Sequence, residues 1–215
     1  FQRKTEGKVP WFQKVELSTI DTGLLLGGVL FCREYFDRAD AGEVRIRARA
    51  DSLFRRVDWQ WARDGQPSLS MGWHPPSDPN NRGFIPSRWI GYNEAMLLYA
   101  MAVGSPTSPI EPSSWQAWTS GYKWGRFHGQ EFVQFAPLFG HQYSHVWIDF
   151  RGIQDEYMRG KGIDYFENSR RATLSQRTYA VANPGGWRDY GGDIWGLTAS
   201  DGPLDTTMVV DGRSR

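Results

Sequence analysis

"IGYNEAMLLYAMAVGSPTSP", Ile90 to Pro109, sets a polar, turn-like approach, Gly-Tyr-Asn-Glu, directly against a run that is apolar from Ala95 to Val103. A helix that is apolar nearly all round has no face suited to water, so other helices must enclose it. Glu94 therefore stands at a seam, where a buried element meets a cavity or solvent. A carboxylate held at such a place is either a helix cap or a chemical tool.

Six helical patterns can be read outward from this stretch, separated by Gly, Pro and Ser breakers. The first follows Ser18-Thr19-Ile20-Asp21 and runs to about Phe36, apolar on nearly every side. The second, about Gly42 to Trp61, is amphipathic, with Arg45, Arg47 and Arg49 on its wet face. The third is Tyr92 to Val103, and the fourth runs from Pro112-Ser113-Ser114 to about Ser120. The fifth covers about Leu138 to Phe150, and the sixth about Ile163 to Asn183, stopped by Pro184-Gly185-Gly186. Buried and amphipathic helices alternate, as in a toroid of helical hairpins whose inner helices collect their functional ends at one mouth. Alternating stretches at Ser68 to Trp73 and Glu131 to Phe135 predict small sheets over that mouth. The expected fold is thus mainly α, an (α/α)6 toroid with short β-hairpins. The 215 residues are expected to form a single domain, incomplete at both ends, that covers half to two thirds of the barrel. An open half-ring would expose more apolar surface than monomers tolerate, so the missing helices are expected from the rest of a longer polypeptide or from another chain.

Composition narrows the function. A net charge of +1, with Arg and Lys spread along the chain, gives no electrostatic footprint for nucleic acid or an anionic membrane. One cysteine, Cys32, excludes a disulfide framework and a Cys-rich metal site. Eleven Trp and nine Tyr, many beside Gly, Asn, Asp, His or Gln, suit a groove that stacks flat polar ligands such as sugars; the alternative is that Trp fills a large core.

Asp21 and Glu94 occupy matching places, each at the N-terminal end of a long apolar helix. Two such helices side by side would present both carboxylates at one mouth. Glycoside hydrolysis needs two carboxyl groups about one bond, one kept protonated by an apolar setting and one ionised. Capping and helix-dipole pairing are the alternative for both. His141 and His145, four apart, would share a helix face, as zinc-binding histidines do, but no Glu follows His141 and no third ligand is evident. Hydrogen bonds to sugar hydroxyls, or satisfied core imidazoles, fit better, and the sequence calls for no metal and no cofactor. Asp149, Arg151, Asp155, Glu167 and Arg171 belong to a dense polar series in which some members must pair as buried ions.

"LSTIDTGLLLGGVL" (Leu17 to Leu30), "GYNEAMLLYAMAVGSPTSPI" (Gly91 to Ile110), "FAPLFGHQYSHVWIDFRGIQD" (Phe135 to Asp155), "GIDYFENSRRATLSQR" (Gly162 to Arg177) and "WGLTASDGP" (Trp195 to Pro203) together resemble the glucoamylase-like domain. That family includes the endo-β-1,2-glucanases of glycoside hydrolase family 144 and is related to the middle domain of cyclic β-1,2-glucan synthases. The resemblance implies an exported bacterial enzyme, periplasmic or secreted, that binds oligo- or polysaccharide and uses Asp21 and Glu94 as its catalytic carboxylates. Its implied sugar platforms are Trp115, Trp118, Trp147 and Trp195, with His141, His145, Asp149, Arg171 and Asp201 as polar contacts. The expected activity is internal cleavage of β-1,2-glucan by inversion, with Glu94 as general acid. Asp21 stands where the family commonly has Glu, which draws the carboxylate back by about one C–C bond, on the order of 1.5 Å, and favours room for a water. A retaining transglycosylase and a non-catalytic glucan-binding module are the competing expectations.

Overall fold

Ser18 opens the longest apolar helix in a computed structural model that describes residues 16–76 and 82–199, with the backbone of 209–210 and 213–214. Its Oγ accepts from the Asp21 N–H at 3.2 Å, capping α1 (Thr19–Tyr35). Ser18 also ends β1 (Leu17–Ser18), which pairs antiparallel with β2 (Gly72–His74), itself paired with β3 (Gly83–Phe84). Thr19 locks this corner, donating to the Ser70 carbonyl at 2.7 Å and accepting from the Trp89 indole at 3.0 Å. The start of α1 is therefore fixed by a sheet, not only by its own cap.

After Asp40 caps it, α2 (Ala41–Arg55) returns antiparallel along α1, with Arg33 meeting Asp51 at 2.8 Å. The single helix expected over 42–61 is in fact two. Asp58 turns its carboxylate onto the Trp61 N–H and the Ser108 hydroxyl, which stops α2 and starts α3 (Trp59–Ala62). The decisive stretch forms α4 (Met96–Val103), followed by α5 (Pro112–Thr119) and the hairpin β4 (Trp124–Phe127) to β5 (Gln130–Val133). Two 3₁₀ turns, Leu138–His141 and Tyr143–Val146, replace the continuous helix expected over 138–150. A short α6 (Glu156–Lys161), absent from the sequence reading, precedes α7 (Tyr165–Ala182). The last described pairing is β6 (Val209–Val210) with β7 (Arg213–Ser214).

The fold is mainly helical, as expected, and its interior is centred on α4. Met96, Leu98 and Tyr99 are fully buried together with Trp59, Trp118 and Tyr165. Gly23 of α1 faces Leu98 and Met101, and farther along Gly27, Leu30 and Glu34 share one cavity with Leu97, Ala100 and Gly104. The two helices thus run in the same direction and begin at the same end. Helix α1 also leaves Leu25, Phe31 and Tyr35 more than half exposed, an apolar flank with no cover among the described residues.

The approach to α4 depends on a close pass of two backbones. Gly91 has φ +86°, and its N–H donates to the Trp118 carbonyl at 2.8 Å. A Cβ on the facing Gly121 would lie 2.8 Å from the Gly91 nitrogen, a backbone atom that has nowhere to move. Gly121→Ala is therefore expected to destabilise the fold by about 1–3 kcal/mol, the range for overpacked sites, read as a lowered urea midpoint at unchanged slope. An unchanged midpoint would show that the pass is looser than these distances imply.

Candidate active site

From Gly91 to Tyr99 every residue is buried except Glu94, which is half-buried. The helix starts later than the periodicity predicts, at Met96 instead of Tyr92, and the reason is local. Asn93 Oδ1 accepts from the Ala95 N–H at 3.0 Å, an Asx-type turn that competes with helix, and also from the Trp118 indole at 3.2 Å. Glu94 consequently sits in the turn ahead of α4, not in its first helical turn. Burial pushes its carboxyl above the usual glutamate range. Its Oε2 is enclosed and has no hydrogen-bond partner among the described residues. Burial of this kind shifts a carboxyl toward its protonated form, the form a general acid needs.

Asp21, by contrast, is solvent-exposed in the first turn of α1. Because α1 and α4 begin at the same end, a half-buried carboxyl and an exposed one lie toward the same end of this helix pair. That split of environments is the one acid/base chemistry uses.

The histidines do not share a helix face, since each lies on its own 3₁₀ turn. They nevertheless line one cavity of about 460 Å³ with Ser169 and Arg170. His141 is almost wholly buried, and its Nε2 lies 3.2 Å from the Phe135 carbonyl, so this nitrogen carries the proton and the enclosed Nδ1 is an acceptor without a partner among the described residues. Burial lowers its pKa to about 4. Burial also lowers His145, against the pull of Asp149 and Asp164, and its Nε2 meets Ser169 Oγ at 2.9 Å. Among the described residues no three His, Cys, Asp or Glu side chains converge on a possible metal position.

The remaining expected contacts are scattered. Trp118 is fully buried and serves the site from behind, through Asn93, with no face open to a ligand. Trp147 lies against α1, where a Cβ on Gly27 would come within 3.0 Å of its ring; it is partly exposed and lines the cavity between α1 and α4. Trp115 is partly exposed, gives its N–H to Asp155 at 2.8 Å, and lines a groove of about 820 Å³ with Tyr157 and Gln116. Trp195 is exposed. Asp149 is exposed and gripped by Arg151 at 2.8 Å, which holds its pKa down to about 2. Arg171 ties Glu167, at 2.9 Å, to the Glu131 carbonyl of β5, at 3.1 Å. Asp201 lies outside the described residues.

Three residues that sequence reasoning missed hold the site together. Tyr92 stacks on His141 with ring centroids 4.7 Å apart, and its hydroxyl meets Ser169 Oγ at 3.1 Å. Asn93 builds the turn, and Ser144 touches the backbone on both sides of Ala95. Tyr92 and Asn93 were signalled by their place in the quoted stretch; nothing in the sequence marks Ser144.

Fold and site together define a mainly helical domain with a half-buried glutamate just ahead of one helix and an exposed aspartate in the first turn of another, the two helices beginning at the same end. The chain belongs to the Glycoamylase family, described as "Putative glucoamylase", which matches residues 86–212. It is 30% identical to an exo β-1,2-glucooligosaccharide sophorohydrolase (non-reducing end) of Parabacteroides distasonis, over 85% of this chain and 28% of that protein. It is similar in structure to an endo-β-1,2-glucanase of Chitinophaga pinensis, solved with sophorotriose and glucose, at TM-score 0.76 and 29% identity over 86% of this chain and 45% of that one. A β-1,2-glucanase of Parabacteroides distasonis matches at TM-score 0.75 and 27% identity, over 86% and 29%. The chain thus spans less than half the length of these relatives.

Proposed function

We propose that this chain carries the acid/base centre of a β-glucan hydrolase, cutting β-1,2-glucan internally by inversion, with Glu94 as general acid and Asp21 as base or electrostatic partner. The observation that carries the reading is Glu94 itself, the one partly open residue in a buried stretch, with an enclosed and unpartnered carboxyl oxygen. The activities named for the three relatives support the choice of β-1,2-glucan. The protonated Glu94 gives its proton to the leaving oxygen, directly or through a substrate hydroxyl, while Asp21 draws a proton from water on the other face of the sugar. The exposed flank of α1 would be covered by the further helices that close an (α/α)6 ring.

The test is product analysis of the intact protein on β-1,2-glucan, cellulose-type, laminarin-type and starch substrates. Oligosaccharides from the first alone, released as the α anomer in proton NMR, are expected. A β anomer would overturn inversion, cyclic products would make the protein a transglycosylase, and calorimetric binding without turnover would make it a glucan-binding module.

A further inference from the structure

Helix α4 begins on Ala95, which has no side-chain oxygen to cap it, and the cap arrives from elsewhere in the chain. Ser144, almost wholly buried on the second 3₁₀ turn, places its Oγ 3.0 Å from the Leu97 N–H, from which it accepts. The same hydroxyl donates to the Glu94 carbonyl at 3.2 Å. One oxygen thus satisfies a backbone donor of the first turn and fixes the peptide that bears the acid. On the other side Asn93 Oδ1 fixes the Ala95 N–H. The turn is latched to the same stretch a second time, because His145, next to Ser144, meets Ser169, which meets Tyr92. The backbone of Glu94 is therefore clamped in front and behind, and its side chain extends from a fixed root.

We propose that Ser144 is a positioning residue that sets the reach of the Glu94 carboxyl toward the leaving oxygen; this rests on the reading of Glu94 as the acid. A side chain three bonds long magnifies any tilt of its root, and a misplacement of about 1 Å in a proton donor costs on the order of 100-fold in rate. A bare helix start on Ala95 would also leave the Leu97 N–H and the Glu94 carbonyl buried without partners, so the turn would shift toward water to satisfy them.

The experiment is a double-mutant cycle in the intact protein, with Ser144→Ala, Glu94→Gln and the pair, assayed on β-1,2-glucan across pH after far-ultraviolet circular dichroism has shown each variant folded. Ser144→Ala is expected to lower kcat by about 10- to 100-fold with KM within about threefold, and to move the alkaline limb of the kcat profile to lower pH as Glu94 becomes wetter. In the Glu94→Gln background the same change should cost less than about threefold, because the group it positions is already gone. An additive loss in the pair, or an unmoved alkaline limb, would make Ser144 merely structural and overturn the proposal. If Ser144→Ala does not fold, Ser144→Cys, which keeps a weak donor at the same place, is read by the same two criteria. Full activity in Glu94→Gln would sink the acid reading itself, whereas an inactive Glu94→Gln beside a fully active Ser144→Ala would sink only the role given to Ser144.

Discussion

Glu94→Gln is expected to lower kcat on β-1,2-glucan by about 10²- to 10⁴-fold, the contribution usual for a general acid, with KM within about threefold. The amide keeps the size and the hydrogen-bonding shape of the acid but has no proton to give. In the wild type only the protonated carboxyl works, so kcat should fall as pH rises through the Glu94 pKa, which burial holds above the ordinary glutamate value. The same shift has a consequence for stability. A carboxyl whose pKa is raised in the folded state binds its proton more tightly there than in the unfolded chain, so the fold is most favoured below the unfolded value, near about 4.3, and loses that advantage as pH climbs through the folded value. The amide in the Glu94→Gln variant cannot ionise and escapes the loss. The variant's Tm should exceed that of the wild type at pH 7, with the gap closing toward pH 4. A variant that turns over glucan at the wild-type rate would remove Glu94 from the chemistry, and an equal Tm gap at both pH values would show that burial of its charge costs the fold nothing.

The parts of this arrangement that local sequence can state were legible. The Ser18-Thr19-Ile20-Asp21 opening and apolar run of α1, and the Pro112 start of α5, are each written within a few residues, and the structure has helices there. Asp21 and Glu94 stand out as candidates because the pattern "polar turn, then apolar helix" occurs twice in the sequence. Failure came where a side chain spends its hydrogen bond far away. The 138–150 stretch has helical periodicity, yet Ser144 and His145 bond to Glu94, Leu97 and Ser169, and the Leu138 N–H goes to the Leu197 carbonyl, so the backbone settles into two 3₁₀ turns. Asn93 likewise delays α4 by bonding its neighbour's N–H and a tryptophan 25 residues on. Trp118, one of the four tryptophans meant for sugars, lies fully inside because composition shows that rings are abundant, not which way each one turns. Trp147 rests against α1 because Gly27 leaves a flat bed for it, a relation across 120 residues that no window of sequence contains. The short α6 did carry its signals, an Asp155 cap on the Met158 N–H and a left-handed Gly162 at its end, but six residues give too little periodicity to read.

Acidification from pH 7 to pH 4 is expected to cost the fold about 3 kcal/mol through His141 alone. The imidazole is buried against Tyr92, Phe132 and Phe135, with its Nε2 proton already committed to the Phe135 carbonyl. A second proton on Nδ1 would place a charge in that apolar shell, where His145 also repels it, and this is why the folded pKa falls to about 4. Since the unfolded imidazole titrates near about 6.5, the unfolded chain takes up a proton that the folded one refuses, and stability present above that value is lost as pH falls toward the folded one. His145 pulls the same way, tempered by Asp149 and Asp164, while Glu94 works in the opposite direction and regains stability on acidification. Asp149, held at about 2 by Arg151, remains charged throughout the range. Urea titrations of the wild type and of His141→Gln at pH 7 and pH 4 separate these contributions, because every group except His141 is common to both proteins. The wild type should lose about 3 kcal/mol more than the variant between the two pH values; equal losses would mean that the His141 ring already accepts its charge in the folded protein, and that its shell is wetter than the packing of Tyr92 and the two phenylalanines implies.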